Sequence, residues 1–115
     1  MKYLCLIYGD ENARTTMSAA DRQSMMTEYM QFSEWIKKSG QYVSGQALQP
    51  TSTATTVRIR SGKLSTTDGP FAETKEQLGG FYLVEAKDLN DAIQIAAKIP
   101  GAKAGAIEVR PIMSV

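Results

Sequence analysis

The chain has 115 residues, 43% hydrophobic and 22% charged, enough for one domain with one core and too short for two. Thirteen basic and twelve acidic side chains leave a net charge of +1, so no nucleic-acid or anionic-membrane footprint is expected. With no histidine, an imidazole base, a Ser-His or Cys-His pair and an imidazole zinc site are all excluded.

Lys2 to Tyr8 is apolar on both alternating faces, Tyr3, Cys5 and Ile7 against Leu4, Leu6 and Tyr8. It reads as a first strand covered on both sides, rather than a signal peptide, and its lone cysteine as a small buried hydrophobe. No apolar run approaches the length of a membrane span, and a cytoplasmic location is the expectation. Gly9 to Met17 reads as a polar loop. Ser18-Ala19-Ala20-Asp21 has the form of a capping box and opens a helix over 20–39. Its stripe of Met25, Tyr29, Phe32 and Ile36, widened by Met26, Met30 and Trp35, has the spacing of a core face rather than of a cofactor groove.

Tyr42 to Leu48 is a short, glycine-interrupted strand. Thr55 to Arg60 alternates cleanly, Val57 and Ile59 against Thr56, Arg58 and Arg60, and Ser61-Gly62-Lys63 turns it into Leu64 to Thr67 as a hairpin. Asp68-Gly69-Pro70 follows as a turn in which Asp can bond its own downstream backbone. A further strand covers 80–86. Asp88 caps a second helix carrying Leu89, Ala92, Ile93, Ala96 and Ile99, stopped by Pro100-Gly101, and a last strand covers 106–112.

The order is βαββαβ with an inserted hairpin: a ferredoxin-like α+β sheet with both helices on one face. Two helices cover only one face, and the first strand and the strand over 80–86 are apolar on both. A second copy of the chain is the expected cover.

If Val57, Ile59, Ile107 and Val109 point to the helices, then Arg58, Arg60, Glu108 and Arg110 share the opposite face, with Asp68 at its rim. Arginines there suit a small anionic ligand, because a guanidinium binds a carboxylate bidentately. The same charges equally make cross-strand pairs that solubilise a sheet face.

Thr67-Asp68-Gly69-Pro70-Phe71-Ala72-Glu73-Thr74-Lys75-Glu76-Gln77-Leu78-Gly79-Gly80 resembles the signature of DGPF-domain proteins, part of the YCII-related family. Tyr8-Gly9-Asp10, Gly45 to Pro50, Thr56-Val57-Arg58 and Glu108-Val109-Arg110-Pro111 match in order. The resemblance implies a dimeric α+β barrel, two sheets packed face to face with a cleft between them. It carries the aspartate of a His-Asp pair onto Asp68 as acid or base, while the histidine has no counterpart here and Gln46 stands where relatives carry an acid.

Two readings follow. One is a homodimer that binds a small anionic molecule through Arg58, Arg60, Glu73, Glu108 and Arg110, with a regulatory link to extracytoplasmic-function sigma factors implied by the resemblance. The other is a lyase or isomerase of dehydrochlorinase type, with Asp68 catalytic. Neither calls for a cofactor or a metal.

Overall fold

A computed structural model describes residues 1–114. Six strands and three helices run in the order β1 (Lys2–Gly9), α1 (Glu11–Thr15), α2 (Ala19–Lys38), β2 (Tyr42–Ala47), β3 (Thr55–Arg60), β4 (Lys63–Asp68), β5 (Gln77–Glu85), α3 (Leu89–Ala97) and β6 (Ala106–Pro111). Four strands form an antiparallel sheet in the order β2-β5-β1-β6, and β3 and β4 pair only with each other. This α+β arrangement is consistent with a ferredoxin-like fold carrying an extra hairpin between its second and third main strands.

The caps explain where the long helices begin. Ser18 accepts from the Asp21 amide at 3.1 Å, and Asp88 accepts from the Asp91 amide at 2.9 Å. Asp91 bonds in turn to the Lys87 amide and the Gln41 side chain. Gly40, at φ 75°, ends α2 in the left-handed conformation expected of a C-terminal stop.

Tyr3, Cys5, Ile7 and Val84 cover one sheet face and meet Phe32 and Ile36 of α2 and Ala92, Ile95 and Ala96 of α3. Ile107 and Val109 pack against this cluster, so the β6 alternation points as its sequence predicts. On α3 the buried face contains Ile95, while Leu89 and Ile93, assigned to the stripe from sequence, are exposed. Leu4 stands opposite Leu83, and Leu6 opposite Phe81, on the face turned away from the helices. Glu108 and Arg110 lie there too, opposite Leu6 and Leu4.

Val57 and Ile59 do not face the helices. Their hairpin is an arm outside the main sheet, and Ile59 is 65% exposed. Alternation in Thr55–Arg60 reports an amphipathic strand but not which sheet takes it. The Ser61-Gly62 turn, with φ of 52° and 74°, closes β3 onto β4 locally, so neither strand needs the main sheet for its hydrogen bonds.

Gly9 to Met17 is also more ordered than its polar composition suggests. Asp10 accepts from the Asn12 amide at 2.9 Å and opens α1, a helix of five residues, none of them buried.

Candidate functional site

The N-terminal half of α2 stands off the sheet and leaves a cleft of about 990 Å³, within the ordinary range for a ligand site. It lies on the helix-covered face, not between two sheets. Its floor is the β2–β5 edge of the sheet, its far wall is α2, and α1 closes one end. The α2 stripe is therefore divided. Phe32 and Ile36 are core, while Met25, Met26 and Tyr29 line the cleft beside Met17.

Hydrogen bonds from the signature stretch hold α1 at the cleft's end. The Glu11 amide donates to Gln77 Oε1 at 2.9 Å, and Gln77 Nε2 donates to the Thr74 carbonyl at 2.6 Å. The Glu11 carboxylate accepts from the Thr51 amide and the Thr51 hydroxyl, each at 2.8 Å. Both oxygens of this acid are thus engaged away from the cleft's interior.

The two signature glycines have different neighbours. A Cβ at Gly80 would sit 2.8 Å from the Gln46 carbonyl oxygen, so the β2–β5 approach requires glycine. The nearest atoms a Cβ at Gly79 would meet belong to the Arg14 guanidinium, at 3.3 Å for Nη2 and 3.6 Å for Nη1. Arg14 therefore lies across bare strand backbone at the base of the cleft. Arg22 reaches the same end, where its Nη2 donates to the Thr15 carbonyl at 3.5 Å.

Hydroxyls supply the polar points of the interior. Tyr29 Oη accepts from the Gly101 amide at 3.1 Å, which leaves its own proton free to donate. Burial pushes the Tyr29 pKa up from its ordinary value of 10.0, against smaller lowering effects from that amide and from the Arg14 charge. Ser33 Oγ lies 3.5 Å from Tyr82 Oη, and the Tyr82 ring stacks edge-on to Phe32 at 5.0 Å. Lys37 closes the other end over the Tyr42 ring, 5.2 Å from its centroid.

The site residues expected from sequence fall into two groups elsewhere. Asp68 ends β4 opposite Thr55, exposed, and its carboxylate has no hydrogen-bond partner among the described residues. The turn after it is held instead by the Gly69 amide on the Ala54 carbonyl, 2.8 Å, and by Thr56 Oγ1 on the Gly69 carbonyl, 2.9 Å. Arg58 sits on the same arm over the ring of Phe71, 5.6 Å from its centroid, and Arg60 is exposed at the arm's end. Glu73 is exposed in the loop between β4 and β5. Glu108 and Arg110 form an exposed ion pair with each other on β6. No hydrogen bond or ion pair joins the arm group to the β6 group among the described residues. Nor do three acidic or cysteine side chains gather there in a way that could hold a metal ion.

Sequence reasoning did not single out Arg14, Arg22, Tyr29 or Ser33 as site residues. Arg14 had a readable signal. Asp10 as cap, Glu11 in the first turn and Arg14 in the last are the marks of a short helix, which fixes an otherwise free arginine in direction.

The α+β fold thus carries a half-open, mostly apolar cleft under one helix, with cations at both ends. The chain belongs to the family of proteins with the YCII-related domain, whose family model matches residues 1–115. It is similar to an uncharacterised protein of Rhizobium meliloti (strain 1021), 35% identical over 114 residues, which are 97% of this chain and 92% of that one.

Proposed function

We propose that this protein is a homodimer that binds a small organic molecule in the cleft beneath α2, a binding rather than a catalytic role, of the kind that suits a regulatory protein. The cleft carries the reading. Its wall is mainly apolar, and its few hydroxyls and cations converge from three elements, the arrangement that orients a ligand. Asp68, exposed on the arm and away from the cleft, contributes to such a site only if the arm of a second copy brings it there.

Three features support the dimer. Leu4, Leu6, Phe81 and Leu83 form a half-buried apolar row on the face that no helix covers. Phe71 on the arm is 81% exposed. The chain measures 47 × 44 × 18 Å with a radius of gyration of 16.1 Å. A compact chain of this length has a radius of about 13 Å, so the molecule is a slab rather than a globule. Two slabs joined through their uncovered faces give the dimeric α+β barrel.

Titration with the neutral fluorophore N-phenyl-1-naphthylamine tests the cleft. Saturable enhancement at one probe per chain is expected, together with its loss in Ser33→Phe, which fills the cleft beside Tyr82. No enhancement, or the same affinity in Ser33→Phe, overturns the reading.

A further inference from the structure

Three cations line the cleft, and none is in an ion pair among the described residues; Arg22 donates to the Thr15 carbonyl and Lys37 lies over the Tyr42 ring, which leaves the Arg14 guanidinium without a side-chain partner. Arg14 has no carboxylate within ion-pairing distance among the described residues, and Glu11, the acid nearest it in sequence along the same wall, spends both oxygens on Thr51. Its position is nevertheless built. Gly79 removes the side chain that would lift the guanidinium off the strand, and α1 directs it there. A planar guanidinium lying against bare strand backbone, with its fork unoccupied, has the geometry for a two-oxygen anion. Tyr29 adds an O–H whose oxygen is already committed as acceptor to Gly101, so its proton is available to the cleft, where the Arg14 charge acts on the same hydroxyl. Beyond this polar end the wall turns apolar at Met17, Met25 and Met26, side chains that adapt to flat or flexible hydrocarbon alike.

We propose that the cleft selects an amphipathic carboxylate, its head on the Arg14 guanidinium over Gly79 with a hydrogen bond from Tyr29, and its aromatic or acyl body against the three methionines. The assignment rests on the cleft being a binding site, and it adds the chemical class of the ligand and the residue that reads it. Glu108 and Arg110 take no part in it, because they satisfy each other on the opposite face.

The test compares 2-naphthoate with 2-naphthamide, alike in shape and different in charge, as competitors of N-phenyl-1-naphthylamine. In the wild-type protein the carboxylate binds more tightly, by about fivefold, as for a charge-assisted pair at an exposed guanidinium. Arg14→Gln brings the naphthoate down to the level of the naphthamide measured in the same variant. Arg14→Lys, which keeps the charge and loses the fork, falls between. Gly79→Ala, which keeps the arginine and moves it, also loses preference for the carboxylate. Equal binding of the two competitors by the wild-type protein overturns the inference, as does a preference that survives Arg14→Gln; the cleft itself stands in either case. If Arg14→Gln also loses the neutral probe, Gly79→Ala decides alone: a selective loss of naphthoate supports the inference, and any other result ends it. A neutral probe indifferent to Ser33→Phe instead removes the cleft reading, and this inference with it.

Discussion

Cys5 gives the protein an alkaline weakness whose size follows from its burial. The side chain is 0% exposed at the centre of the core, and burial pushes its thiol from the ordinary 9.0 up to about 11. In the unfolded chain the thiol ionises near its ordinary value, whereas in the folded chain it keeps its proton about two units further. The unfolded state therefore holds fewer protons between these values, and stability falls as pH rises through them. The full stabilisation is present below about pH 9, about 1 kcal/mol is gone by about pH 10, and the loss approaches about 3 kcal/mol above the folded value. Urea unfolding followed by the fluorescence of Trp35, the single tryptophan, measures this at about pH 7.5 and about pH 10. Cys5→Ala is less stable than the wild type by about 1 kcal/mol at about pH 7.5 for the missing sulfur, and the gap closes by about pH 10 because the variant lacks the thiol's part of the alkaline fall. Tyr29, also raised by burial, adds a loss of the same sign in both proteins and cancels in the comparison. An equal alkaline fall in wild type and Cys5→Ala would refute the reasoning.

Light scattering at low micromolar concentration is expected to give about 25 kDa, twice the 12.6 kDa chain; a monomer removes the barrel arrangement. Gly80→Ala forces a Cβ against the Gln46 carbonyl and costs about 1–3 kcal/mol in chemical unfolding, while Gly79→Ala, whose nearest contact is a movable guanidinium, costs about 0.5 kcal/mol or less. Similar losses for the two would show that the glycines share one role. Asp68→Asn changes stability by less than about 0.5 kcal/mol, because its carboxylate is exposed and unbonded, and it leaves the affinity for N-phenyl-1-naphthylamine unchanged. Weaker probe binding in that variant would place the arm of a second copy at the cleft.

The parts of the fold readable from sequence were those set by local chemistry. Ser18 and Asp88 mark their helices because a side-chain oxygen beside free amides is a local event, and α2 falls within one residue of its expected ends. The clean alternation of Val57 and Ile59 was equally visible, yet it gave the wrong neighbour, since period two says nothing about which strand lies alongside. The cleft was hidden for a related reason. Met25 and Phe32 share one helical stripe, and only the angle at which α2 leaves the sheet separates the lining residue from the core residue. The signature stretch attracted attention to Asp68 through its turn chemistry. Its contribution to the cleft comes from the other end, through Thr74, Gln77 and Gly79, whose roles depend on a helix sixty residues earlier in the chain.

The wall that carries Arg14 is secured by polar contacts alone. Five residues are too few to hold a helix by propagation alone, and α1 buries none of them. What fixes it is the polar latch through Glu11, Thr51 and Gln77, bonds that water can replace at modest cost. The amides of α1 are accordingly expected to exchange through local openings cheaper than unfolding the core. A ligand engaging Arg14 must first still this motion, which lowers its affinity and shortens its stay. Such a cleft follows the concentration of its ligand through rapid exchange rather than storing it.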